Sequence, residues 1–240
     1  MRLVRRLSAL ATAASLACVA HAARADCPGS TFLYGRPDPS IPIPEVAARV
    51  DTTFSSQFCD RMHGRYDVLA GLLIASIDVA CNSSQPGGAP SGLETIVEDD
   101  YDLVGLAPGT AVSFSLAMHL LGEGHEFGQP GGPGGAQLRA TALEGASNSA
   151  TFLRATSLAE PSIFVNQALG LSIAAVSGTP VHLRVAVRAE AFEGRGELQG
   201  LLEFSGLPSG VHLQSCRGYS SEAPVAARAT SWGRLKASYR

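Results

Sequence analysis

The stretch "VHLRVAVRAEAF" (181–192) decides the fold. Val181, Leu183, Val185, Val187 and Ala189 fall on one side of an extended chain. His182, Arg184, Arg188 and Glu190 fall on the other. A helix would scatter the two arginines onto the apolar side, whereas a strand half-buried on one face needs this two-residue period. "AVSFSLAMHLL" (111–121) repeats the pattern: Val112, Phe114, Leu116, Met118 and Leu120 oppose Ser113, Ser115 and His119.

Weaker alternation marks strands over 66–79, 94–104, 136–143, 150–156, 169–176, 197–205 and 211–215. "APGT" (107–110), "SGTP" (177–180) and "LPSG" (207–210) are turns placed just before strands. Three breakers interrupt the pattern. "GRPDPSIPIPE" (35–45) holds four prolines within eight residues, which excludes a helix or an inner strand and leaves an extended surface segment. "NSSQPGGAPSG" (82–92) reads as a loop, and "GEGHEFGQPGGPGG" (122–135), with seven glycines and two prolines, reads as a mobile loop. The expected architecture is all-β: an antiparallel sandwich of eight or nine strands, with the jelly roll as a candidate topology. A membrane barrel shares the alternation but needs aromatic girdles, and aromatic residues make up only 6% of the chain.

The N-terminus reads as a secretory leader. "MRLVRR" is basic, "LSALATAASLACVA" is uncharged and too short to span a bilayer, and "AHA" (20–22) and "ARA" (23–25) are small-x-small cleavage patterns. Cleavage after Ala25 makes 1–25 a signal peptide and leaves 215 residues, enough for one large β domain. A lipoprotein reading of "SLAC" (15–18) is weaker, because Ser15 and Leu16 are poor residues before a lipidated cysteine. Four of the 18 basic residues (Arg2, Arg5, Arg6, Arg24) lie in the leader and all 21 acidic ones after it, so 14 basic residues face 21 acidic ones, a net charge of −7. Such a surface disfavours nucleic acid and anionic membrane as partners. The chain is expected outside the cytoplasm: secreted, periplasmic or on the cell surface, with no membrane span after cleavage.

Cys18 leaves with the leader. Cys27, Cys59, Cys81 and Cys216 remain, an even number in an exported chain, which predicts two disulfides. Their gaps of 32, 22 and 135 residues lack the close pairs of a zinc site. If 66–79 is one unbroken strand, it spans about 46 Å at about 3.3 Å per residue and holds Cys59 and Cys81 apart. Pairing those two requires a hairpin at Ala70-Gly71. Without it, Cys27–Cys59 with Cys81–Cys216, or Cys27–Cys81 with Cys59–Cys216, must hold.

Local chemistry is sparse. "EDDYD" (98–102) could gather oxygens for calcium, but no D-x-D-x-D-G loop is present, and a solvated strand end whose charges block edge pairing explains it better. His63, His119, His125, His182 and His212 carry no H-E-x-x-H pattern, so surface positions are expected; His119 and His182 could approach only if their strands share a sheet. "GLSIA" (170–174) lacks the second glycine of a nucleophile elbow, and "GQPGGPGG" lacks G-K-[ST]. Cys59 and His63 in "CDRMH" invite a thiol-nucleophile reading, but an exported cysteine is usually bridged. No motif calls for a metal, a cofactor or a catalytic residue. Sugar-binding sandwiches stack rings on exposed aromatics; here the sandwich has no tryptophan, and its tyrosines are Tyr34, Tyr66, Tyr101 and Tyr219.

The domain is expected to occupy 26–216, followed by a linker and tail over 217–240. In "TSWGRLKASYR" (230–240), Thr230 or Ser231 can cap a short helix on which Trp232, Leu235 and Tyr239 share a face, with Arg234, Lys236 and Arg240 basic; otherwise the tail is disordered. The ending W-G-x-L-K-x-x-Y-R, with "FSGLPSGVHLQSCRGY" upstream, resembles the ends of uncharacterised exported β-rich proteins of bacteria. The resemblance covers roughly the last forty residues, implies an exported β protein, and brings no activity with it. The reading is a non-enzymatic exported sandwich with a structural or binding role, and an envelope or surface partner reached through Trp232, Leu235, Lys236 and Tyr239. A glycan-binding module and a hydrolase or lyase with a dispersed site are the alternatives.

Overall fold

The computed structural model describes residues 27, 30–34, 40–43, 49–55, 60–67, 69–79, 91–127, 135–146, 148–157 and 159–221. In chain order the strands are β1 (Ser30–Tyr34), β2 (Ser40–Ile43), β3 (Arg49–Ser55), β4 (Asp60–Asp67), β5 (Leu72–Val79), β6 (Ser91–Val104), β7 (Ala111–Glu126), β8 (Gly135–Glu144), β9 (Asn148–Ala155), β10 (Ser162–Val176), β11 (Val181–Phe192), β12 (Gly194–Ser205) and β13 (His212–Ser215). Seven form a first antiparallel sheet in the order β2-β1-β6-β11-β8-β9, with β13 also on β6. Six form a second, in the order β10-β7-β12-β5-β4-β3. The sheets stack face to face as a sandwich and neither closes into a barrel.

The period-two stretches do what alternation requires. On β11, Val181, Leu183, Val185, Val187 and Ala189 are buried; on β7, Val112, Phe114, Leu116, Met118 and Leu120 are buried. They meet Leu73, Ile77, Leu93, Leu138 and Ile163 from the facing strands in one core. A polar tie crosses that core: the buried Thr95 hydroxyl on β6 donates to the Ile74 carbonyl on β5 at 2.6 Å.

Three expectations are corrected. Thirteen strands are described rather than eight or nine, because β1 to β3 come from the proline-rich entry and its surroundings. β2 contains Pro42 yet pairs only with β1, so it is an edge, where a missing N–H is tolerated. Second, 66–79 is not continuous. β4 and β5 are joined by a turn at 69–71 in which Gly71 takes φ +62°, a conformation open to glycine. Third, "GEGHE" (122–126) is not loop but the last third of β7, paired with both β10 and β12. Its glycines face inward where the chains run close. A Cβ on Gly122 would lie 2.5 Å from the Glu197 carbonyl oxygen, and one on Gly124 3.0 Å from Ile163.

A disulfide joins Cys27 to Cys216, with 5.7 Å between Cα atoms. It excludes both alternative pairings, and the hairpin required for Cys59–Cys81 is present at 69–71. Cys59 and Cys81 lie outside the described residues, as does the tail with Trp232, Leu235, Lys236 and Tyr239. The described residues run five past Cys216, to Ser221. Ser221 N–H donates to Leu213 O (3.0 Å), Leu213 N–H to Ser221 Oγ (2.8 Å), and Tyr219 N–H to Ser215 Oγ (2.9 Å).

Candidate functional site

The outer faces of the two sheets differ in kind. On the first, β6 sets Glu94, Glu98 and Asp100 opposite Arg188, Arg184 and His182 of β11. The pairs close at 3.4 Å, 3.0 Å and 3.0 Å respectively. Arg188 also binds Glu190 on its own strand. The acidic run "EDDYD" is therefore neither a calcium loop nor a solvated strand end. It lies inside β6, flanked by β11 and β13, and its outward carboxylates form one side of a cross-strand ladder. Among the described residues, no group of three or more His, Cys, Asp or Glu side chains is arranged to hold a metal.

The inward member of the run, Asp99, is 1% exposed. Its Oδ1 accepts the Asp100 N–H at 2.9 Å. Burial raises its carboxyl to about 6, although the Ser215 hydroxyl and Arg217 favour its charged form. Tyr66 of β4 faces it from the other sheet, and burial, reinforced by the Asp99 charge, pushes that phenol well above its ordinary value. Tyr101, Tyr219, Phe204 and Phe114 close this end of the core, with ring centroids 5.3 Å (Tyr101–Phe204), 5.7 Å (Phe204–Tyr219) and 6.2 Å (Phe114–Phe204) apart. The cluster pins the last described segment to both sheets. The reading of a solvated strand end missed it, although strand parity could have found it, since Asp99 shares the inward side with Val97 and Tyr101.

The outer face of the second sheet presents mixed chemistry. One cross-strand row runs Ser162, His125, Arg195, Asp78; the next runs Phe164, Glu123, Glu197, Ser76, His63; a third includes Asn166, Leu121 and Gln199. Phe164 stands 68% exposed and Leu201 37% exposed. Phe164 meets the His125 ring edge-on at 5.9 Å. His125 Nδ1 lies 2.9 Å from Ser162 Oγ. Ser162, His125 and Glu123 have the residue types of a nucleophile, base and orienter. However, His125 Nε2 is 3.8 Å from Glu123, outside hydrogen-bond range, and is buried with no hydrogen-bond partner. The contacts fix the imidazole beneath Phe164 rather than pass a proton along it.

Three of the five described histidines lie on this face, each beside an oxygen: His63 with Asp51 (2.7 Å), His119 with Glu203 (2.7 Å) and His125 with Ser162. They do not converge. His119 and His125 are six residues apart on β7, about 20 Å at about 3.4 Å per residue. His119 and His182 belong to different sheets and opposite outer faces, so they cannot meet. A cleft of about 510 Å³ opens at one end of the sandwich, lined by Glu144, Asn148, Val176, Thr179, Pro180 and His182. Its polar groups are already engaged: Asn148 donates to Glu144 (2.6 Å) and to the Ser172 carbonyl (2.7 Å), and His182 pairs with Asp100.

No family model and no curated protein matches the chain. The geometry alone has to carry the functional reading.

Proposed function

We propose that this chain is an exported, non-enzymatic β-sandwich that acts by binding, in a structural role at the cell surface or outside it. The contact surface is the outer face of the second sheet around Phe164 and Leu201. The observation that carries this reading is Phe164, at 68% the most exposed large apolar side chain among the described residues. On the first sheet Glu94, Glu98 and Asp100 pair with Arg188, Arg184 and His182, and the exposed apolar side chain is Leu153. The second sets an exposed aromatic ring and an exposed leucine among hydrogen-bonding side chains, the composition of a protein-contact patch. The Cys27–Cys216 disulfide supports an oxidising compartment. A glycan partner fits less well, because Tyr66, Tyr101 and Tyr219 are buried in the core rather than offered as stacking surfaces.

The test is a pull-down from the native envelope and medium with the wild-type chain and Phe164→Ser, together with mass spectrometry of the secreted form. The expected result is an N-terminus at Asp26 or Ala23 and a partner retained by wild type but lost in the variant. Equal recovery by both chains, or a retained Met1, would overturn the reading.

A further inference from the structure

β10 is one edge of the second sheet, and among the described strands only β7 pairs with it along a ladder. Its main-chain groups divide by parity. At its two ends, the Pro161 carbonyl accepts Glu126 N–H and Ser177 N–H donates to the Thr110 carbonyl, both at 2.9 Å, so odd positions turn toward β7. The Ser172 carbonyl instead accepts the Asn148 side chain at 2.7 Å, so even positions turn outward. From Ser162 to Gly170, no described strand pairs with those outward groups.

The other three sheet ends are guarded in the usual ways, by shortness, proline or charge. β2 has four residues and Pro42; β3 carries Arg49 and Asp51; β9 has eight residues and Arg154. β10 has fifteen residues, "SIFVNQALGLSIAAV", with no charge, histidine or proline. Its middle is also uncovered on both faces. Alternation should bury Gln167 and Leu169, yet Asn166, Gln167, Ala168 and Gly170 are exposed and Leu169 is only half-buried.

We propose that the chain forms a symmetric dimer by antiparallel pairing of β10 with β10 of a second copy, which joins two six-stranded sheets into one. A two-fold axis sets a strand against its own reverse, so a charge at the axis would meet its own copy. A strand of this length with no charge carries no such repulsion in any register. The longest outward run short of the Asn148-capped carbonyl is Ser162–Gly170, and its centre is Asn166. That register sets Phe164 against Ala168 of the second copy, large against small. It sets Asn166 against its own mate, where each amide offers both donor and acceptor. Roughly ten main-chain hydrogen bonds form across the axis. The dimer does not rest on export or on the outer-face partner, and although Phe164 borders both surfaces, the variants that test the dimer leave it unchanged.

Sedimentation equilibrium of the mature chain, from micromolar to submillimolar concentrations, is the experiment. Wild type is expected to sediment as a dimer. Asn166→Lys and Asn166→Asp each place two like-charged side chains on the axis, on Cα atoms about 5.5 Å apart. Each is expected to raise the dissociation constant at least about ten-fold, with the melting temperature of the dilute monomer unchanged because Asn166 is exposed. An equimolar mixture of the two variants is expected to recover the dimer as a heterodimer. Ala168→Pro, which removes one outward N–H and leaves the β7 ladder intact, should also give monomer. Wild type that is monomeric throughout, a dimer unaffected by these variants, or no recovery on mixing would overturn the proposal.

Discussion

Asp99 is a carboxylate placed where the fold would rather have a neutral group. Its value of about 6 lies above the ordinary 3.8 of an unfolded chain, so the folded state binds the proton more tightly. Its favourable contribution is complete below about pH 4 and is lost as the pH rises through 6. Between pH 7 and pH 4 this group alone should add about 2 kcal/mol of stability. Denaturant unfolding of wild type and Asp99→Asn across that range isolates the effect. The difference between the two chains should change by that amount, and parallel curves would show that Asp99 does not titrate there. The same residue shows where legibility ended. Its inward parity could be counted from Val97 and Tyr101. Its neighbours Ser215 and Arg217 lie more than a hundred residues away, and no local pattern reports such a meeting.

At the scale of elements, the long strands were legible because large apolar and charged residues alternate along them. β7 through Leu121 and β11 are such strands. β10 was seen only from 169 onward, because "FVNQ" is followed by alanine and glycine, whose small side chains give no contrast between faces. "GEGHE" read as loop because glycine is a common breaker. Here it is strand because the inward positions of β7 leave no space for a side chain. That account separates two glycines. Gly122→Ala should cost about 1–3 kcal/mol, since its Cβ would meet main chain 2.5 Å away. Gly170→Ala, with nothing within 4 Å, should be neutral or stabilise by less than about 1 kcal/mol. Thermal melts of the two variants decide it, and equal losses would contradict it. The β4–β5 hairpin carries its own consequence. With Cys27 bonded to Cys216, Cys59 and Cys81 are the remaining cysteines after residue 25, and the register Asp60↔Val79 brings the chain on either side of the hairpin together just beside them. Peptide mapping without reduction should recover Cys59 linked to Cys81, and a free thiol would refute the pairing.

At the scale of the whole molecule, the question is where the domain ends. Arg217 and Tyr219 are buried, Tyr219 against Tyr101 and Phe204, and the last described hydrogen bonds are at Ser221. Cys216 is therefore too early a boundary for the fold. A chain cut after Cys216 loses a buried aromatic worth about 3–5 kcal/mol, and its melting temperature should fall by on the order of 10 °C. A chain cut after Ser221 keeps every described contact and should melt within a few degrees of the full chain. What it loses is Trp232, Leu235, Lys236 and Tyr239. Ordering the eleven residues around them costs on the order of 1–2 kcal/mol each. Burying the three large side chains in a partner's preformed groove would return about 1.5–3 kcal/mol each. We propose that the tail is read by an envelope partner or by the surface-attachment machinery. Truncation after Ser221 should then displace the protein from its cellular location while leaving its stability intact. A large fall in melting temperature with the location unchanged would instead make the tail part of the fold.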